Sequence, residues 1–144
     1  MIVIDTNVIS ELMRAAPASA VLEWFAAHRS TDLYLSAVSE AELRTGAAIL
    51  PAGKRRDRLI ASIDAMINED FAGRVLPFDS TAARAYATIA AGRRATGRPI
   101  AEADCQIAAI ALAFEATVAT RNVADFEGCG IAIVDPWQGS GPQR

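Results

Sequence analysis

Met1-Ile2-Val3-Ile4-Asp5-Thr6-Asn7-Val8-Ile9-Ser10 opens the chain with three β-branched residues, one carboxylate and then a run compatible with a helix. Ile2-Val3-Ile4 shows no polar alternation, so it reads as a strand covered on both faces, as in a parallel sheet. The run stops at Asp5. In an open α/β sheet, ligands gather beyond the carboxyl ends of the strands, so an acid here faces the crevice where chemistry is done. Asp5 or Asn7 equally suits a helix N-cap, a side-chain oxygen accepting an orphan backbone N–H. At this point both readings stand.

Working outward, Leu33-Tyr34-Leu35, Val75-Leu76-Pro77-Phe78, Thr117 to Thr120 and Ile131 to Val134 are further short β-forming runs. Pro77 belongs at a strand end, because it cannot donate to a central ladder. Between the runs, apolar residues recur at helical spacing: Val21, Trp24 and Phe25; Leu43, Ala47 and Leu50; Leu59, Ile63 and Ile67; Ala82, Ala85, Tyr86 and Ile89; Ile107, Ile110, Ala111 and Phe114. The last set predicts a helix over residues 100–116. Asp79 or Ser80 caps the Ala-rich helix before it, and Ser39-Glu40-Ala41-Glu42 fits a capping box in which Glu42 reaches back to the Ser39 N–H. Short strands alternating with longer helices predict a single three-layer α/β domain over residues 1–138, with a central, mostly parallel sheet of four to five short strands. Gly139 to Arg144 has the composition of a flexible C-terminal tail.

The 144 residues are 52% hydrophobic, enough for one domain with a proper core. A net charge of −3 argues against a broad, sequence-blind nucleic-acid coat, though not against a local basic groove. No charge-free apolar run reaches the roughly 20 residues that span a bilayer, and the first residues form a strand rather than a signal core. The expectation is a cytoplasmic protein without membrane contact. Cys105 and Cys129 lack paired zinc-site spacing and read as reduced, buried thiols. The single histidine, His28, sits at a helix end with no motif around it, which argues against Ser/His/Asp and Cys/His mechanisms. No Gly-rich segment follows a strand, so a phosphate-cradling loop is missing as well.

Acids remain. Asp5 ends the first strand, Glu42 is early in the helix after the second, Asp104 is early in another, and Asn122 and Asp125 follow the fourth strand. If the strands are parallel, all meet at one sheet edge. Carboxylates crowded there raise one another's pKa unless a cation neutralises them, and Mg²⁺ or Mn²⁺ suits such an all-oxygen site. Each acid also has a structural reading, as cap or as first-turn acid favoured by the helix dipole. Arg44, the Lys54-Arg55-Arg56-Asp57-Arg58 cluster, and Arg93, Arg94 and Arg98 are either solvated faces or phosphate contacts flanking the pocket.

Four stretches carry a resemblance. Ile4-Asp5-Thr6-Asn7-Val8-Ile9-Ser10-Glu11, Ser39-x-x-Glu42-Leu43-Arg44-x-Gly46, Ala103-Asp104-x-x-Ile107-Ala108-Ala109 and Ala119-Thr120-Arg121-Asn122-x-x-Asp125-Phe126 resemble, in order, the motifs of PIN-domain ribonucleases. The likeness is strongest to the VapC/FitB toxins of type II toxin–antitoxin systems, with Asp135-Pro136-Trp137 where members often carry Asn-Pro-Trp, and it covers Met1 to Trp137. It implies a three-layer α/β/α PIN-like fold and a Mg²⁺-dependent endoribonuclease inhibited by a small antitoxin. It also implies a homodimer within a toxin–antitoxin heterooligomer that meets DNA only through the antitoxin.

Carried over motif by motif, Asp5 and Asp104 are implied as the principal metal ligands and Glu42 as the third acid. The family's usual fourth acid falls at Asn122, which is neutral, so the second metal position passes to Asp125 or is absent. The resemblance further implies hydrolysis by a metal-activated water, leaving 5′-phosphate and 3′-hydroxyl ends. Thr6 and Thr120 are expected to orient the carboxylates or water, and Arg44 and Arg121 to touch the RNA backbone. The alternative function is a catalytically inactive PIN scaffold acting as a protein-binding module. A haloacid-dehalogenase-type phosphatase needs a second Asp where Asn7 stands.

Overall fold

The computed structural model describes residues 1–138; the tail expected from Gly139 lies outside the described residues. The strands are β1 (Ile2–Ile4), β2 (Leu33–Ser36), β3 (Val75–Leu76), β4 (Thr117–Ala119) and β5 (Ile133–Val134). The helices are α1 (Thr6–Leu12), α2 (Ser19–Ala26), α3 (Ala37–Ala48), α4 (Lys54–Ala65), α5 (Ser80–Ala95), α6 (Glu102–Ala113) and α7 (Val123–Phe126). All pairings are parallel in the order β3-β2-β1-β4-β5, so the opening run is the central strand. Parallel strands need crossovers, and helices supply them.

The central position explains the lack of alternation. Val3 packs with Val118 and α5, α6 and α7 on one face, while Ile4, Leu35 and Ala119 pack with α1 to α4 on the other. Trp24 is core, as its spacing predicts. His28 stacks on it at 4.2 Å and its Nδ1 lies 2.6 Å from the Trp24 carbonyl, a purely structural contact. Cys105 and Cys129 are free and buried, and burial pushes the Cys105 thiol up to about 11, which leaves it an inert hydrophobe. No helix among the described residues is long and apolar enough to cross a membrane.

Three local expectations need correction. The cap of α3 is Ser36, whose hydroxyl accepts the Ser39 N–H at 3.0 Å, so the helix begins before Ser39 and the capping box is not formed. The helix expected over 100–116 is shorter, because Ala101 is extended at its start and Glu115 turns left-handed (φ 54°) past its end. There Ala116 N–H returns to the Ala111 carbonyl at 2.8 Å.

The third correction is Arg93, grouped by sequence with solvated cations. It is only 7% exposed: its Nε donates to the Arg98 carbonyl (2.6 Å), and its Nη1 to those of Asp125 and Glu127 (both 2.9 Å). Gly97, at φ 73°, makes this possible by turning the chain back so that Arg98 N–H reaches the Arg93 carbonyl at 2.9 Å.

Candidate active site

The strand order places β2 on one side of β1 and β4 on the other, and the connection that returns from β3 to β4 makes a topological switch beside β1. Ligands in open α/β sheets bind outside the strand ends at such a point. Ile4 is in register with Leu35 and Ala119, so the next residues, Asp5, Ser36 and Thr120, lie side by side at one edge, where Asp5 and Thr120 leave the sheet. Asp5 N–H closes the ladder on the Ala119 carbonyl at 2.9 Å.

Asp5 does both things the sequence allowed. It caps α1 through Oδ1, which accepts the Thr6 N–H at 2.8 Å, while Oδ2 accepts the Thr120 hydroxyl at 2.8 Å. Its carboxyl also lines an open groove of about 510 Å³ with Thr6, Asn7, Ser10, Glu11, Arg14, Glu42, Asp104 and Asn122. The Thr6 hydroxyl donates to Glu42 Oε1 at 2.7 Å and lies 2.8 Å from the Ser39 hydroxyl. Thus the end of β1, α3 and α6 each bring one of the three expected acids to the same groove. Asn122 reaches it from the loop after β4, and Asp125 is near enough to repel both Asp5 and Asp104.

The electrostatics record this crowding. Burial pushes the Asp5 carboxyl above the usual carboxylate range, and repulsion by Glu42 and Asp125 adds to it, against hydrogen bonds from Thr120 and Thr6. Asp104 is pushed up to about 6, by burial first and then by Asp5, Asp125 and Glu42, with Arg93 pulling the other way. A carboxyl at about 6 when folded and 3.8 as its ordinary value binds its proton more readily in the native state. Stability of the metal-free protein is therefore expected to rise as pH falls from 7 through 6, and Asp104→Asn to remove most of that dependence. At pH 7 the variant is expected to be more stable by about 1 to 2 kcal/mol, allowing for solvent screening of this partly exposed group. Urea melts at pH 7 and pH 5 check both; a wild-type stability that falls over this interval would contradict the assignment.

Among the described residues, no three His, Cys, Asp or Glu side chains are close enough together to hold a metal ion between them. The donors instead stand round an open groove and are all oxygen. That fits Mg²⁺ or Mn²⁺ of the hydrated kind, which takes one or two carboxylates and keeps several waters. Of the residues lining the groove, Asp5 and Asp104, with Glu42, are those that would hold such an ion, and Asp125 or Asn122 would be further donors.

Arg44 and Arg121, expected at the RNA backbone, both make contacts within the protein. Arg44 is held by Glu40 at 2.8 Å and Asp64 at 2.7 Å, so its guanidinium is paired along α3 and α4 and does not line the groove. Arg121 lies 4.9 Å over the Trp137 ring, and its backbone N–H donates to Asn7. Arg14 does line the groove; it pairs with buried Glu11 at 3.1 Å and is 66% exposed. Sequence spacing alone does not single it out, although Glu11 and Arg14 lie one helical turn apart.

Comparisons with known proteins give the family and the fold. The PIN domain family model matches residues 2–127. The chain is 49% identical over 138 residues to the VapC ribonuclease Y4jK of Sinorhizobium fredii, covering 96% of this chain and 99% of that protein. It is 43% identical over 137 residues to toxin FitB of Neisseria gonorrhoeae, covering 95% and 99% respectively. Among solved structures, FitAB bound to an IR36 DNA fragment superposes with a TM-score of 0.92 at 41% identity, covering 98% of this chain and 99% of that one. With the family model matched over most of its length, two relatives above 40% identity and a superposable fold, the chain belongs to the PIN-domain family.

Proposed function

We propose that this protein is a Mg²⁺-dependent endoribonuclease that acts as the toxin of a toxin–antitoxin pair. The observation that carries the catalytic reading is the convergence of Asp5, Glu42 and Asp104, from three separated motifs, on one open groove where burial and mutual repulsion raise Asp5 and Asp104. A bound Mg²⁺ or Mn²⁺ supplies charge neutralisation and a water of lowered pKa in such a site. Asp5, Asp104 and Glu42 would hold it. Thr6 and Thr120 keep the Glu42 and Asp5 carboxylates in place through the hydrogen bonds described. Arg14, beside the acids and largely exposed, offers the positive charge that a phosphodiester needs and the acids cannot give. With water as nucleophile, the products carry 5′-phosphate and 3′-hydroxyl ends.

The partner reading rests on the relatives. One is named a ribonuclease and another a toxin, and FitAB was solved bound to DNA. By likeness, this chain forms a homodimer, is held inactive by a cognate small antitoxin in a heterooligomer, and meets DNA only through that antitoxin. It works in the cytoplasm on RNA.

The test is cleavage of an RNA panel with Mg²⁺, with EDTA, and with EDTA followed by excess Mg²⁺ or Mn²⁺. Loss on chelation and recovery on metal return are expected. Cleavage untouched by EDTA would overturn the metal mechanism. No cleavage under any condition, with the antitoxin still captured, would favour the inactive scaffold that the neutral Asn122 leaves open.

A further inference from the structure

Asn7 carries no charge, yet its side chain ties the start of α1 to the loop after β4. Its Oδ1 accepts the Arg121 backbone N–H at 3.3 Å, and its Nδ2 donates to Thr120 Oγ1 at 3.3 Å. A backbone N–H can only donate, which fixes the amide with its oxygen toward Arg121 and its NH₂ toward Thr120. Thr120 Oγ1 accepts a second N–H, from Asn122, at 3.0 Å. A hydroxyl has two lone pairs and one proton. With both lone pairs occupied, the proton of this fully buried group is left for Asp5 Oδ2, 2.8 Å away.

We infer that Asn7 is a positioning residue: by fixing the polarity of the Thr120 hydroxyl, it holds Asp5 in one orientation, with the rest of its acceptor capacity turned to the groove. The inference rests on the proposed role of Asp5 as a cation ligand. Without Asn7, the hydroxyl regains a free lone pair and a choice of rotamer, and the Asp5 carboxylate loses its fixed partner.

Calorimetric titration of the metal-free protein with Mn²⁺, alongside melting curves without metal, tests this. Asn7→Ala is expected to weaken Mn²⁺ binding about tenfold, the low end of what losing a partner behind a metal ligand costs. Asn7→Ser, whose hydroxyl cannot span both Thr120 and Arg121, is expected to match it and serves if Asn7→Ala does not fold.

Thr120→Val is expected to weaken binding at least as much, and Asn7→Ala added to Thr120→Val to weaken it no further, because Asn7 acts only through that hydroxyl. Thr120→Ser, which keeps the hydroxyl, is expected to bind as wild type and to regain sensitivity to Asn7→Ala. Losses that multiply in the double variant would make Asn7 a direct contact and overturn the inference. So would a lowered melting temperature with unchanged Mn²⁺ affinity, since the role would then be structural only. A wild-type protein that takes up no Mn²⁺ overturns the reading of the groove and this inference with it. Wild type that binds while Asn7→Ala binds equally well overturns this inference alone.

Discussion

Asp5→Asn is expected to lower metal-dependent RNA cleavage about a thousandfold, equivalent to about 4 kcal/mol of lost transition-state stabilisation. The melting temperature of the metal-free protein should barely move. The substitution keeps size and shape, so β1 and the start of α1 remain in place. Chemically it changes two things at once. A negative charge is removed from the cation site, and one of two oxygens becomes an NH₂ group. Both oxygens are committed, Oδ1 to the Thr6 N–H and Oδ2 to the Thr120 hydroxyl, so the amide places a donor against a donor whichever way it turns. Stability is spared because the same change relieves a carboxyl whose burial and neighbours already disfavour its charge. Initial cleavage rates and thermal melts separate the two effects. Full activity in Asp5→Asn would exclude this groove as the catalytic centre; lost activity with a collapsed melting temperature would show only a folding defect.

Arg93→Met is expected to be the most destabilising single change, by about 3 kcal/mol, or about 10 °C in melting temperature for a domain of this size. Methionine matches the length of the stem but leaves the carbonyls of Arg98, Asp125 and Glu127 without their donor. Arg93→Lys is expected to recover part of the loss: it keeps the charge, but a point donor cannot reproduce the planar fork. The consequence extends to the groove. Arg93 is the cation that pulls Asp104 down against burial and three acids, so its removal should push the Asp104 carboxyl higher still. Thermal melts of the three proteins, with an NMR titration of Asp104, check this. A melting temperature within two degrees of wild type would mean that the three carbonyls find other partners at about no cost.

What could be read from the sequence divides by the range of the interactions involved. Ile2 to Ile4 and Thr117 to Ala119 announce themselves because a strand buried on both faces leaves no polar alternation, and Asp5 stands out because it directly ends such a run. Arg93 is opaque for the opposite reason. Its partners are carbonyls 5, 32 and 34 residues along the chain, and backbone oxygens carry no residue signature. Ser36 and Ser39 show a different limit: both are capping residues within one turn, and only the length of β2 decides which is used. Glu42 loses its local reading as a capping-box partner once Ser36 takes the cap, and the contact it makes instead comes from Thr6, 36 residues away. The pairing of Arg44 is equally hidden, because its partner Asp64 belongs to the next helix.

The central strand is completed by the penultimate one. Asp5 takes one of its two fixed hydrogen bonds from Thr120, 115 residues downstream, and β1 has β4 as a neighbour. During synthesis, a nascent chain carrying the first hundred residues therefore holds Asp5 and Glu42 but has neither Asp104 nor the strand that fixes the first acid. Until Thr120 has been made the first acid lacks that partner, so the three acids are held together only once β4 has joined β1.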